Sequence, residues 1–188
     1  ALRLNSNGNY NSAFGYKALY NNTTDKNNAF GYYALKANTT GFHNNAFGNL
    51  ALASNTIGYR NSGFGYKALQ KNTTGNNNQF IGIQAGNSNT TGCYNFFGGY
   101  KAGYSNTTGC HNNFFGCYAG RGNTTGNHNT FIGMCAGFTN TFGECNTFIG
   151  RCSGVSNTSG TNNISLGNEA GASNTTGSYN IMFSHRAG

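Results

Sequence analysis

The 188-residue sequence has no proline and no tryptophan, and its only acidic residues are Asp25, Glu144 and Glu169. So few carboxylates leave little material for paired-carboxylate hydrolysis or for a histidine activated by an aspartate. No run of about 18 apolar residues occurs, and the N-terminus lacks the charged and apolar regions of a signal peptide. We therefore expect no enzyme activity, no cofactor and no membrane insertion. The first residue is Ala1 rather than Met, which is consistent with removal of a leader.

Core-forming side chains are also scarce. Leu, Ile, Val and Phe together number 31, whereas Asn numbers 35 and Gly 30. With a charged fraction of 7% and a net charge of +8, this composition alone is typical of disorder. The 12 Tyr and 15 Phe argue the other way, because a solvated polar tract has little use for so many rings. They must be buried at intervals, and regular intervals would indicate a repeat protein.

A glycine recurs every 17 residues, with one step of 16 and a serine in the last place. We call this landmark position 0, number the other positions from it, and call each repeat a coil. The landmarks of the eleven coils are Gly15, Gly31, Gly48, Gly65, Gly82, Gly99, Gly116, Gly133, Gly150, Gly167 and Ser184. The short step falls at residues 22–25, where the usual glycine is replaced and one residue is missing, so a local turn defect is expected there.

Asparagine fills positions −4 and −10 in every coil, with position −10 displaced by one residue at the short step, and alanine fills position +3 except at Ser153. The unit reads roughly N-T-T-G-x-x-N-x-F-I-G-x-x-A-G-x-x. Its two or three glycines would each cost a helix roughly 1 kcal/mol relative to alanine, and no apolar stripe compensates. We therefore predict an all-β fold, a parallel β-solenoid (β-roll) of eleven coils of about 17 residues stacked about 4.8 Å apart. Residues 1–188 would form a single repeat domain about 50 Å long, either a segment of a longer rod or one subunit of a fibre.

In-register stacking would explain the uniform columns, because an inward Asn can bond to the Asn above and below it. The predicted structural ladders include Asn78, Asn95, Asn112, Asn129 and Asn146 at position −4, and Asn72, Asn89, Asn106 and Asn123 at position −10. The glycine columns are expected to mark corners that need positive φ.

Two positions exchange size along the chain. In the first four coils position −2 is small and position +4 is Leu, whereas in coils five to nine position −2 is Phe and position +4 is Gly, as with Phe114 and Gly120. Interiors are close-packed, so both positions should fill one core layer. Position −1 holds a second apolar column, and adjacent strand residues point to opposite faces, so that column needs another cover. A partner subunit would provide it.

The repeats Asn123-Thr124-Thr125-Gly126 and Asn129-Thr130-Phe131-Ile132-Gly133 resemble the head repeats of trimeric autotransporter adhesins. They resemble still more the N-T-T-G…N-T-x-I-G repeats of bacterial and phage proteins related to tail fibres. The resemblance covers essentially the whole chain and implies a β-roll, commonly trimeric, that serves as an extracellular stalk, adhesive head or fibre segment. The longer repeat, the Phe and Tyr columns and the six cysteines depart from the adhesin pattern.

The 17-residue register also orders the cysteines. Cys93 and Cys110 share one column on neighbouring coils, as do Cys135 and Cys152, and a spacing near 4.8 Å lies within the Cα range of a disulfide. Two disulfides are therefore predicted, with free thiols as the alternative. Cys117 and Cys145 stand in different columns and are possible intersubunit cysteines. Such bridges would imply an oxidising, extracellular setting.

His111, His128 and Cys145 share a column on three successive coils, which raises a metal alternative. A straight row of ligands about 4.8 Å apart does not form a tetrahedron, so no metal site is predicted. Surface histidines on a turn are the favoured interpretation.

Tyr and Lys adjoin after several landmarks, and the possible glycan-contact residues are Tyr16, Lys17, Tyr66, Lys67, Tyr100 and Lys101. Such pairs could stack on sugars. A net charge of +8 spread over about 50 Å is too low a charge density to predict nucleic-acid binding. Solubility and edge protection are the favoured role of the basic residues.

The Thr-rich turns admit two more interpretations. The position −10 asparagines begin N-x-S/T sequons in most coils, so they are either glycosylated or turned inward. The Thr columns resemble in outline those of ice-binding solenoids, but the second column is broken at Ile57, Phe142 and Ser159.

The sequence thus favours a non-catalytic structural segment of an extracellular fibre or appendage, at a cell or virion surface, that assembles by coil stacking. The alternative function is a glycan-binding adhesin or tail-fibre head module. Because neither terminus has an atypical capping coil, we expect the partner to be the chain itself, as a homo-oligomer or a head-to-tail filament.

Overall fold

The computed structural model describes residues 1–5 and 7–188, and it confirms the predicted all-β parallel solenoid. Each coil contributes one three-residue strand, and the strands of the described residues form a single parallel sheet in chain order. The strands are β1 (Ser12–Phe14), β2 (Asn28–Phe30), β3 (Asn45–Phe47), β4 (Ser62–Phe64), β5 (Gln79–Ile81), β6 (Phe96–Gly98), β7 (Asn113–Phe115), β8 (Thr130–Ile132), β9 (Thr147–Ile149), β10 (Ile164–Leu166) and β11 (Ile181–Phe183). Each residue pairs with the same position in the next coil, as Ala29 does with Ala46. Over residues 1–5 and 7–188, no helix has the length and apolar character needed to cross a membrane.

Tight turns connect the strands. After β2, Ala34 N–H donates to Gly31 O at 3.3 Å, and Asn38 N–H donates to Leu35 O at 3.2 Å. Positions +2 and −5 have a left-handed backbone in every coil although glycine never occupies them, and Lys17 (φ 54°) and Tyr10 (φ 58°) are examples. Each such residue costs roughly 1–2 kcal/mol in a free chain, so the contacts between coils must hold these conformations in place.

Two glycine columns have different physical reasons. The landmark glycines have φ between 125° and 144°, as the sequence predicted. The glycines at position −7 do not have positive φ, so the expectation that every glycine column needs it is wrong for this one. A Cβ on Gly109 would lie 2.5 Å from both Asn106 Oδ1 and Gly126 O. Position −7 is therefore glycine because the next coil comes too close for a side chain.

The core confirms the size exchange. Leu35 and Phe114 are both fully buried, the first at position +4 and the second at position −2. A Cβ on Gly120 would lie 2.5 Å from Cδ2 and Cε2 of Phe114, so the two positions of a coil occupy one volume. The five core Phe rings stack from coil to coil, with centroids 4.4–4.9 Å apart.

Coil ten follows neither pattern, since it has Ser165 at position −2 and Gly171 at position +4. Met182 from the next coil occupies the space, and its Cε would be 2.9 Å from a Cβ on Gly171. Ser165 Oγ is buried without a hydrogen-bond partner. A flexible thioether thus replaces the missing ring, in keeping with the use of Met in irregular gaps.

The short step is confined to one turn. Thr24 stands where other coils have the position −7 glycine, and its carbonyl accepts the side-chain N–H of Asn11 and Asn22, both at 2.7 Å. The deleted residue therefore belongs to the preceding Thr-rich turn, and the coil stack continues unbroken on both sides.

Candidate functional site

The position −10 asparagines form the predicted ladder. From Asn38 to Asn157 each donates Nδ2 to Oδ1 of the Asn one coil earlier, as in Asn106 to Asn89 and Asn123 to Asn106, both at 2.8 Å. Nδ2 of Asn106 also donates to Gly109 O at 3.0 Å, and the same bond recurs along the column. Asn22 and the position −10 side chains from Asn38 to Asn157 are fully buried, so the alternative of inward-turned sequons is confirmed for them, whereas Asn174 is only partly buried.

The position −4 asparagines form a ladder of a different kind. Asn78 Oδ1 accepts the backbone N–H of Asn95 at 3.0 Å, and Asn95 Nδ2 donates to Gly109 O in the next coil at 2.8 Å. The predicted bonds between Asn side chains occur at this position only as secondary contacts, such as Asn78 Nδ2 to Asn61 Oδ1 at 3.1 Å. The side-chain amides at position −4 bond mainly to backbone groups. These bonds satisfy the N–H and C=O groups of a turn that has no strand pairing.

The first Thr column is also part of the framework. Thr73 Oγ1 donates to Thr90 O at 3.1 Å, and the bond recurs from coil to coil. Because these hydroxyls donate to backbone carbonyls, they are not available as a regular surface array that could order water. The first Thr column therefore belongs to the backbone ladder.

All six cysteines are free thiols in the structure, so neither predicted disulfide is formed in it. Cys93 and Cys110 are nevertheless neighbours and have a role that the sequence did not reveal. Cys93 Sγ accepts Asn76 N–H at 3.3 Å, Cys110 Sγ accepts Cys93 N–H at 3.1 Å, and both thiols donate to carbonyls two residues back. Burial raises the pKa of the Cys93 thiol above its ordinary value.

The remaining cysteines divide between a cluster and an isolated thiol. Cys135 lies between Cys152 and Cys117, and burial, followed by these two neighbours, raises its pKa. Cys145 is exposed on another side of the coil. Within the chain, Cys117 and Cys145 do not pair, so any covalent link through them would require a second chain.

Rings stack in the histidine column. Tyr94, His111 and His128 lie on consecutive coils, with centroids 5.0 and 4.9 Å apart and interplanar angles of 4° and 3°. No group of three His, Cys, Asp or Glu side chains in the described part of the chain is placed to hold a metal ion. The column is a stack of surface rings.

The six possible glycan-contact residues lie in three separate coils, with the ammonium groups packed against the rings. Lys67 Nζ is 5.1 Å from the Tyr66 ring centroid, and Lys101 Nζ is 5.1 Å from that of Tyr100. Lys17 Nζ lies 5.2 Å from the Tyr16 ring centroid, and hydrogen bonding to Tyr16 raises its pKa. The cation–π contacts leave these rings less free to stack on another molecule.

A surface hollow of about 370 Å³ lies beside the short step. Its lining residues are Thr23, Thr24, Asp25, Lys26, Phe42 and His43. Phe42 stacks on Tyr59 at 5.0 Å and meets His43 edge-on at 5.5 Å, which makes a rigid aromatic wall. Asp25 Oδ1 accepts Asn9 N–H at 2.6 Å, so the carboxylate has a fixed orientation. The sequence showed the missing residue but not the hollow it leaves.

The outer side of the sheet is exposed along the whole rod. We define the strand face as positions −3 and −1 of the coils, whose side chains point away from the core. Position −1 carries Phe14, Phe30, Phe47, Phe64, Ile81, Gly98, Phe115, Ile132, Ile149, Leu166 and Phe183. Most of these large side chains are more than a third exposed, and Phe30, Phe47 and Phe64 stack with centroids 4.8 and 5.0 Å apart. The sequence prediction of an apolar column outside the core is confirmed.

Comparison of the chain with protein-family models, with curated proteins and with solved structures found no match. Function must therefore be argued from the geometry alone.

Proposed function

We propose that the chain is a structural, non-catalytic β-solenoid segment of an extracellular fibre or appendage, which assembles by stacking coil on coil. The observation that carries the proposal is the continuity of the ladders. Strand pairing, the two Asn columns and the core column repeat from coil to coil with the same partners. Most of the sequence is thus committed to keeping one cross-section constant along the rod.

Such a rod resists bending because each coil is held to the next at several places around its circumference. In the middle of the chain these are the strand, the Phe stack, two Asn columns and the Thr column. Each buried hydrogen bond contributes about 1 kcal/mol and is lost only if neighbouring coils separate. The same ladders would join coils of different chains.

Electron microscopy of the purified chain tests the proposal. We expect rods of constant width, about 50 Å long or longer where copies stack end to end. A control with Asn106→Leu and Asn123→Leu should lose the rods together with the folded state. A population of rounded particles from chains that remain folded would contradict the structural role.

A second candidate function, recognition of surface glycans, is favoured by the hollow at the short step. A glycan-binding module needs a localised site, and this hollow lies at the only 16-residue step between landmarks. Its volume is within the range of small-ligand pockets, and it combines an aromatic wall with a carboxylate, an ammonium and an imidazole. A pyranose could stack on Phe42 and donate hydroxyl bonds to Asp25.

Screening against a glycan array, followed by calorimetry, tests this candidate. Phe42→Ala should abolish binding and Asp25→Asn should weaken it, while Tyr66→Ala on the other candidate surface should leave it unchanged. Binding that survives Phe42→Ala but not Tyr66→Ala would assign recognition to the Tyr and Lys columns. Absence of binding to any glycan would leave the structural role as the only candidate.

A further inference from the structure

The strand face differs from the rest of the surface in charge. Of the 14 charged residues in the chain, none occupies position −3 or −1 in any coil. Position −1 instead presents Phe, Ile and Leu with one Gly, and position −3 presents Ser, Asn, Gln and Thr together with Phe96, Ile164 and Ile181. A charged polymer or a charged membrane surface would find no counter-ions there, so the face suits a neutral, apolar partner.

The apolar column is kept continuous even where its side chain is missing. Gly98 interrupts position −1 in coil six, and the Phe115 ring from the next coil leans over it. A Cβ on Gly98 would lie 2.7 Å from Cδ2 and Cε2 of Phe115. The same ring stacks on Phe96 with centroids 6.2 Å apart. The outer surface of the sheet is therefore packed along its length without an open notch at the centre.

The size of the face matches a standard interface. Ten coil spacings of about 4.8 Å make it roughly 48 Å long, and the strand with its flanking residues is about 15 Å wide. The product is on the order of 700 Å² per copy, close to the value of about 800 Å² per partner in stable complexes. Within this area the position −1 side chains form a continuous apolar column, and contiguous exposed apolar surfaces of this kind mark interaction sites.

Periodicity indicates what the partner is. The side chains of position −1 repeat with the coil spacing, so only a surface with the same spacing can interdigitate with them over the whole length. A second copy of this chain has that spacing. We propose that the strand face binds the strand face of a second copy, with the two rods side by side and antiparallel. This inference rests on the proposed function of the chain as a structural rod.

Charge decides the orientation. Residues 1–88 contain seven basic residues and one acidic residue, a net charge of +6, whereas residues 106–188 contain three basic and two acidic residues, a net charge of +1. A parallel pair would place the two +6 ends beside each other. An antiparallel pair places each +6 end beside a +1 end, which reduces the electrostatic repulsion between the two rods.

Light scattering coupled to size-exclusion chromatography tests the pairing. The native chain should have twice the monomer mass, and Phe47→Lys or Ile132→Lys should convert it to monomer. Phe142→Lys is the matched control, because Phe142 is 62% exposed but lies at position −8, outside the strand face. Circular dichroism should show that all three variants stay folded. A native chain that is folded and monomeric at high micromolar concentration would overturn the proposal.

Cross-linking tests the orientation. The six native cysteines are changed to Ser, and at Cys93 and Cys110 the hydroxyl can accept the same backbone N–H, as Ser178 accepts Thr161 N–H at 2.9 Å in that column. In this background, Phe47→Cys combined with Ile149→Cys should give cross-links between residues 47 and 149 of different copies with a short bismaleimide. Phe47→Cys alone should give none, because the two copies of residue 47 lie about six coil spacings, roughly 29 Å, apart. Efficient cross-linking of Phe47→Cys to itself would show a parallel pair and overturn the antiparallel arrangement.

Failure of the pairing is distinguishable from failure of the proposed function. Monomeric rods in electron micrographs would reject the strand-face pairing and leave the structural role intact. Rounded, folded dimers that are disrupted by Phe47→Lys would reject the structural role and leave the pairing intact.

Discussion

Replacing Gly120 by Leu while Phe114 remains should destabilise the rod by about 2–5 kcal/mol. A Cβ at position 120 would already lie 2.5 Å from the Phe114 ring, so the side chain overpacks its coil at about 1–3 kcal/mol. The backbone at Gly120 is left-handed, with φ 56°, which adds about 1–2 kcal/mol for any residue with a Cβ. Leu35 and Leu52 occupy the same position with φ 49° and 51°, so the conformation itself accommodates Leu.

Adding Phe114→Ala should restore much of the loss. Phe114→Ala alone removes a fully buried ring that stacks on Phe97 and Phe131 at 4.7 and 4.8 Å, and it should cost about 3–5 kcal/mol. The double variant instead reproduces the Ala and Leu pair of coil two, leaving mainly the left-handed penalty. We expect a favourable coupling of about 2 kcal/mol or more between the two substitutions.

Thermal melts of the four proteins measure this coupling, with about 2–4 °C of melting temperature per kcal/mol for a chain of this size. The reciprocal exchange in coil four, Gly63→Phe with Leu69→Gly, is the matched control and should show coupling of the same sign. Additive losses in coil seven would refute the conclusion that positions −2 and +4 share one volume.

Two other predictions concern side chains outside the core. Two disulfides remain predicted under oxidising conditions, Cys93 with Cys110 and Cys135 with Cys152. Mass spectrometry of non-reduced peptides should find both. Free thiols at all four cysteines would remove the argument for an oxidising compartment. Hydrogen bonding from Arg186, followed by the charges of Arg186 and Arg151, lowers the pKa of Glu169. The contribution of Glu169 to stability is therefore present above its unfolded pKa, near 4.5, and is lost as the pH falls through its folded pKa. An NMR titration should show that the pKa of Glu169 rises in Arg186→Gln and stays unchanged in Arg121→Gln.

The sequence was sufficient to predict the solenoid and the contents of its core. Stacking places residues 17 apart directly on one another, so any column of identical residues is visible by alignment of the chain with itself. The exchange between Leu69 in coil four and Phe80 in coil five was informative for the same reason, because two columns changed size at one boundary. The exposed Phe column followed from the alternation of strand residues.

The sequence was not sufficient to predict the backbone of the turns or the roles of the cysteines. Left-handed residues are recognised from glycine or asparagine, whereas here Lys, Tyr and Leu adopt φ near 55° because contacts between coils enforce it. The 17-residue spacing between Cys93 and Cys110 predicted a disulfide. The hydrogen bonds of the two thiols depend instead on the direction of the turn, which the spacing does not specify. The hollow beside Asp25 depends on which turn residue is missing, and the repeat spacing does not specify that residue.

The N-T-T-G…N pattern is best understood as one hydrogen-bonding unit, and Gly109→Ala tests that interpretation. Gly109 O accepts Asn106 Nδ2 at 3.0 Å and Asn95 Nδ2 at 2.8 Å, so one carbonyl joins the two Asn ladders. Because the φ of Gly109 is not positive, its backbone conformation alone would allow alanine at this position. Its Cβ, however, would lie 2.5 Å from Asn106 Oδ1 and from Gly126 O.

Relief of that clash must move the carbonyl or both amides, which weakens two buried hydrogen bonds at about 1–3 kcal/mol each. We therefore expect Gly109→Ala to lower the free energy of unfolding by about 2–6 kcal/mol. Thr108→Ala on the exposed neighbouring position is the control and should change it by less than about 0.5 kcal/mol. Backbone amide exchange should speed up most at Asn112, whose N–H bonds to Asn95 Oδ1 at 2.9 Å. Equal stability of Gly109→Ala and Thr108→Ala would mean that the glycine column is not needed to join the ladders.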